Sequence, residues 1–120
     1  MKKAAKTKDI YTPVYRKRHS RVTKLLKHDQ YVQQLCQKIS PSYDLLLQNV
    51  PIYSQRRRLV AEIDVLAMKE GVYDIYEVKC SHRVSKARRQ LEKIQRIVSQ
   101  KSRVGNMFFF CGESGILLSL

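Results

Sequence analysis

A chain of 120 residues, 43% of them hydrophobic, can bury one core, so a single domain is expected. Twenty-four Lys and Arg against ten Asp and Glu leave a formal net charge of +14, a field that draws phosphate polyanions. No run of about 18 apolar residues occurs, which argues against a membrane-spanning helix. Three cysteines without CxxC spacing and three scattered histidines argue against a disulfide framework or a zinc site, and fit reduced thiols in an intracellular compartment.

Residues 1–18 are rich in Lys and Arg and hold one acid, Asp9. They are expected to form a basic, flexible arm, with the folded domain spanning 19–120. Arg16 to Arg21 are placed to reach a nucleic acid. Leu25, Val32, Leu35, Cys36 and Ile39 predict a helix from Ser20 to Ile39, closed off by Pro41. Strands follow at Tyr43–Tyr53, Leu59–Met68 and Val72–Cys80. Ala87, Leu91, Ile94 and Val98 share helical spacing and predict a helix over Ser85–Gln100, with Ser81 and Ser85 as possible N-caps. The apolar run Met107 to Cys111 reads as a buried strand or a dimer surface. Ile116 to Leu120 is a last short strand after a Gly112–Gly115 turn. The order implies an α/β domain with a mixed sheet: a three-stranded antiparallel meander, a crossover helix and a further strand, flanked by helices.

Charges interrupt two of these strands, in Glu62-Ile63-Asp64-Val65 and Tyr76-Glu77-Val78-Lys79. Burying them is costly unless they compensate one another or hold a cation. If Glu70-Gly71 is a two-residue hairpin loop, Lys69 faces Val72, Asp64 stands opposite Glu77, and Glu62 opposite Lys79. Facing residues project to one side with Cβ atoms about 5 Å apart, so three acids and a lysine gather on one patch. Close carboxylates repel, and a divalent metal relieves them; hard oxygen ligands favour Mg²⁺ or Mn²⁺. A three-residue loop would turn Asp64 to the face opposite Glu77, so the chemistry argues for an even loop. The bland alternative is an exposed Glu62–Lys79 ion pair with Asp64 as a solvated strand residue.

An acid on one strand followed by Glu-x-Lys on the next resembles the PD-(D/E)xK nuclease superfamily. Asp64 matches the first acid and Glu77-Val78-Lys79 the second half of the motif, with Ile63 where a proline is often written. Ala61 to Ala67 with Tyr76 to Ser81 resembles the small archaeal and viral Holliday-junction resolvases, over a region from about Asp29 to the C-terminus. The resemblance implies a restriction-endonuclease-like fold and Mg²⁺ (or Mn²⁺) held by Asp64, Glu77 and the backbone carbonyl of Val78. It also implies that Lys79 orients or deprotonates the attacking water, or stabilises the transition state. Several branches carry a glutamine on the helix after the Glu-x-Lys strand, and Gln90 matches it. Many members have an acid on the first helix, where Asp29 is the sole candidate as a further metal ligand. Glu62 would complete the outer shell or pair with Lys79.

Arg56, Arg57 and Arg58 precede the second strand, and Lys86, Arg88, Arg89, Lys93 and Arg96 line the polar side of the second helix. Such cations suit a phosphate-gripping rim around a cutting site; a solvated basic face is the alternative. The expectation is a metal-dependent DNA endonuclease, with a homodimeric Holliday-junction resolvase acting in recombination and repair as the leading subtype. Alternatives are a related nuclease for ends, flaps or single strands, and a basic nucleic-acid-binding protein with an inactive core.

Overall fold

A computed structural model describes residues 19–120, with side chains from Leu26 onward. The expected basic arm over 1–18, and the reach of Arg16 to Arg21, lie outside the described residues or side chains. Helix α1 spans His19–Ile39, strand β1 Leu45–Tyr53, β2 Leu59–Lys69, β3 Val72–Lys79, helix α2 Val84–Val98, β4 Arg103–Cys111 and β5 Leu117–Ser119. The strands form one five-stranded sheet in the order β1-β2-β3-β4-β5. β1, β2 and β3 are an antiparallel meander, β4 joins β3 in parallel through the α2 crossover, and β5 returns antiparallel. This is the α/β domain with a mixed sheet that the sequence implies.

Each helix packs where its apolar stripe dictates. Val32, Leu35, Cys36 and Ile39 recur at helical spacing and lie buried against Val65, Ala67, Tyr76, Val78 and Phe110. Ala87, Leu91 and Ile94 are the buried stripe of α2. Leu91 and Ile94 meet Ile63 and Ile75, while Ala87 meets Phe109 and Cys111. Pro41 ends α1 through a single 3₁₀ turn over Ser40–Ser42. α2 starts without help from serine: Arg83 is its N-cap, with no side-chain cap, and Ser85 lies inside the helix. Neither Ser81 nor Ser85 caps it.

The β2–β3 turn has two residues, Glu70 and Gly71, at φ 53° and 79°. Positive φ at both centres is the geometry that matches the twist of a tight hairpin. Glu70 adopts it without glycine's freedom, with its N–H donating to Asp44 Oδ2 at 3.0 Å. Lys69 pairs with Val72, and the even register expected from the sequence runs up to Val65–Tyr76.

There the ladder stops. β3 continues through Glu77, Val78 and Lys79 bonded only to β4, at Phe109, Phe110 and Cys111. β2 continues bonded only to β1. Val65 and Ala67 belong to the α1-side core, whereas Ala61 and Ile63 pack with α2, so the inward face of β2 changes side at Asp64. β1 changes with it: Leu46 packs towards α1, Val50 and Ile52 towards α2. Between them stands Asn49 at φ 54°, a conformation asparagine tolerates better than most residues. The outer half of the β1–β2 hairpin thereby curls onto α2 and opens a gap beside β3.

Candidate active site

The parting of β2 and β3 strips two backbone groups of their ladder partners. In continued register Val78 would face Ile63; instead its N–H donates to Asp64 Oδ2 at 2.8 Å. Its carbonyl accepts from His28 Nε2 on α1 at 3.0 Å. A buried strand end with unmet N–H and C=O groups would be costly, and these two side chains satisfy both. Asp64 is 6% exposed and Glu77 5%, the two charged residues buried among the described ones.

An open cleft of about 620 Å³ lies over this gap, lined among others by Asp64, Glu77, Val78, Lys79, Gln90 and His28. Lys79 Nζ reaches Glu77 Oε2 at 3.0 Å. His28 Nε2 lies 3.4 Å from Asp64 Oδ2 as well as on the Val78 carbonyl. Both Asp64 contacts thus fall on Oδ2, leaving Oδ1 available for a ligand; Glu77 Oε1 is likewise left by the lysine. Burial first, and the Asp64 charge second, push the Glu77 carboxyl up to about 7, against the lowering pull of Lys79 and His28. The bond to Asp64 holds His28 above its usual value, opposed by partial burial.

The expected residues separate clearly. Asp64, Glu77, Lys79, Gln90 and the Val78 backbone come together in one cleft. Glu62 lines its edge but is exposed, and Lys79 pairs with Glu77 rather than across the strands with Glu62, because the strands have parted at that level. Asp29 is not brought in: its side chain is 70% exposed and touches the site only through His28 Nδ1 at 3.9 Å. His28 takes the place on α1 where an acid was expected. The signal for it was present, since His28 lies one turn before Val32 on the sheet-facing stripe and Asp29 does not. Lys27, Arg83 and Glu113 also line the cleft. Glu113 is brought there by backbone bonds from Gly112 and Glu113 to the Lys79 and Cys80 carbonyls, at 2.8 and 3.0 Å. A Cβ on Gly112 would lie 2.1 Å from the Tyr31 ring, so only glycine lets α1 sit this close.

Arg56, Arg57 and Arg58 form the exposed β1–β2 turn, and Lys86, Arg88, Arg89 and Arg96 are exposed on α2. Lys93 is engaged otherwise, with Nζ donating to the Val60 carbonyl at 2.6 Å and tying the curled hairpin to α2. None of these eight lines the cleft. The strand Met107 to Cys111 is core rather than dimer surface over Phe109, Phe110 and Cys111, which are 0%, 4% and 2% exposed.

One observation tests whether the cleft fits a metal. Gln90 Oε1 is a buried acceptor with no hydrogen-bond partner, in a cleft it shares with two carboxylates. Such an oxygen is costly unless a donor, such as an ordered water, completes it. With Asp64 Oδ1, Glu77 Oε1 and the second lone pair of the Val78 carbonyl, the donor set is oxygen throughout and suits Mg²⁺ or Mn²⁺. Among the described residues no three His, Cys, Asp or Glu side chains are grouped so as to hold a metal ion, so a metal here would rest on two carboxylates with backbone and amide oxygens.

No protein-family model matches the chain, and a search of curated proteins returns no match. Among the described residues no helix is long and apolar enough to cross a membrane.

Proposed function

We propose that the chain is a metal-dependent endonuclease that hydrolyses DNA phosphodiesters, with a Holliday-junction resolvase as the leading subtype. The observation that carries this reading is the convergence of buried Asp64 and Glu77, with Lys79 3.0 Å from Glu77, in a cleft containing the unpartnered Gln90 oxygen. Two adjacent buried carboxylates serve stability poorly, and their arrangement fits a function that needs them.

Asp64 Oδ1, Glu77 Oε1 and the Val78 carbonyl would hold Mg²⁺ or Mn²⁺, which when bound polarises the scissile phosphate and acidifies the attacking water. The residues of the chain do the rest. The Val78 N–H fixes Asp64 from behind, so its free oxygen keeps one direction. His28 fixes the Val78 carbonyl in the same way. Lys79, held by Glu77, presents an ammonium to the charge that develops on the phosphate. Gln90 accepts a hydrogen bond from the water and orients it. Arg83 and Lys27 at the mouth would meet the flanking phosphates.

A resolvase makes paired cuts, which calls for a two-fold dimer with two such sites. Incision mapping on a four-way junction and a linear duplex, with light scattering on the same sample, tests the subtype. Symmetric paired cuts by a dimer are expected; cuts confined to ends or flaps by a monomer assign the related nuclease class instead. The convergence of two carboxylates rather than three ligating side chains favours a second reading, a basic nucleic-acid-binding protein with an inactive core. Three cysteines without CxxC spacing fit a protein working in an intracellular, reducing compartment.

A further inference from the structure

The outer half of the β1–β2 hairpin has a composition its packing does not require. Its turn is closed by Ser54, whose N–H donates to the Arg58 carbonyl and whose own carbonyl accepts from Arg57 N–H, both at 2.8 Å. Arg57 sits at φ 62°, and Arg56, Arg57 and Arg58 are all exposed. Beneath them Tyr53 pairs across the strands with Leu59. These are the two most exposed large hydrophobic residues described, at 58% and 62%. No acid occurs between Asp44 and Glu62, so nothing in the hairpin offsets the arginines.

The hairpin is also fastened. Val50, Ile52 and Ala61 pack into the Ile63–Leu91–Ile94 cluster, and Lys93 holds the Val60 carbonyl at 2.6 Å. The hairpin's outward side chains Asn49, Pro51 and Glu62 are exposed, as is the tip, Tyr53 and Gln55 to Leu59. A lone exposed apolar side chain needs no explanation. A cross-strand ring and aliphatic pair under three guanidinium groups, on a pinned hairpin, is a surface with two chemistries side by side. The arginines suit phosphates, and the tyrosine ring suits a flat apolar partner. A fully paired duplex offers the phosphates but hides its base faces, whereas DNA with unpaired bases offers both.

We propose that this tip reads unpaired DNA bases, with Tyr53 as the stacking platform, Leu59 as the wedge beside it and Arg56 to Arg58 as phosphate clamps. The inference rests on the cleft being a DNA-cutting centre and adds what selects its substrate: branch points, flaps or gaps rather than continuous duplex. Leu59 lies five residues along β2 from Asp64, so their Cα atoms are ~17 Å apart or less at about 3.3 Å per residue. Incision is therefore expected within about five nucleotides of the unpaired base, at 3.4 Å per nucleotide.

Fluorescence anisotropy in EDTA, where nothing is cut, measures the binding of a labelled duplex and of the same duplex carrying an unpaired stretch of thymines. The full chain should prefer the unpaired substrate by about tenfold, and Tyr53→Ala should lower that ratio by about fivefold or more while Tyr53→Phe retains it. Equal binding of the two substrates by the wild type, or an undiminished ratio in Tyr53→Ala, would overturn the proposal. A preference that disappears in both variants would also overturn it, since a phenylalanine ring stacks as well. The nuclease reading fails separately, if a chain showing the preference cuts no DNA when Mg²⁺ is supplied.

Discussion

At the scale of single residues, Asp64 and Glu77 set the character of the site. Asp64 does two jobs at once: Oδ2 replaces the lost ladder partner of Val78, and Oδ1 is left for chemistry. Glu77 is held protonated towards neutral pH by burial and by Asp64. A carboxyl raised in the fold stabilises the folded state fully below its ordinary value of 4.5, and that stability is lost as pH rises through about 7. Glu77→Gln, a neutral mimic, should therefore stabilise the protein over wild type increasingly from pH 5 to pH 8, by about 1–2 kcal/mol at the upper end, while abolishing cleavage. Urea unfolding in EDTA across that range checks it, and a gain that shrinks with pH would contradict it. His28→Ala should cost about 1–2 kcal/mol by leaving the Val78 carbonyl without its donor, whereas Asp29→Ala should change stability by less than about 0.5 kcal/mol. The same unfolding measurement decides between these neighbours. Turn parity gives the register only as far as Val65–Tyr76, so the expected cross-strand pairing of Asp64 with Glu77 does not form, and the two carboxylates meet in the cleft through the change of face at Asp64. His28 is less legible in the sequence, since a histidine on a helix stripe reads as core unless the site is already known.

At the scale of elements, the β2–β3 hairpin carries the register on which the site depends. Its turn holds Glu70 at φ 53°, where a glutamate is strained and asparagine or glycine is not. Glu70→Asn should stabilise the fold by about 0.5–1 kcal/mol, raising the thermal midpoint without moving the register, because the Asp44 bond uses the backbone N–H. Differential scanning calorimetry would show it, and a lowered midpoint would mean that the Glu70 side chain matters in itself. The meander, the crossover and both helices are legible because hydrophobic period and turn residues are local signals. The change of face at Asp64 is not. It arises where β2 leaves β3 to follow β1 onto α2, a choice made by tertiary packing, with Asn49 as its one local trace. The Glu62–Lys79 expectation fails for that reason: it extends the ladder past the point where the strands part. The serine caps fail because α2 begins at Val84 with Arg83 as its N-cap, two residues after Ser81 and two before Ser85.

At the scale of the whole molecule, the helices on opposite faces of one sheet converge at the gap. α1 brings His28, α2 brings Gln90, and the sheet brings the carboxylates and Lys79. Lys27, Lys79 and Arg83 line the cleft, while the eight cations expected to form a rim lie outside it on α2 and the hairpin tip, which suits a substrate larger than the cleft itself. The net charge of +14 is what raises a polyanion as the proposed partner, whereas the curl that carries the outer hairpin onto α2 depends on the three-dimensional path of β2. In the proposed function Asp64 and Glu77 form a divalent-metal centre for cutting DNA. The most direct test incubates wild type and Asp64→Ala with a panel of structured DNAs, with and without Mg²⁺. Mg²⁺-dependent incision by the wild type is expected, with a loss of about 10²-fold or more in Asp64→Ala. Undiminished cleavage by Asp64→Ala, or no cleavage of any DNA by the wild type, would contradict it.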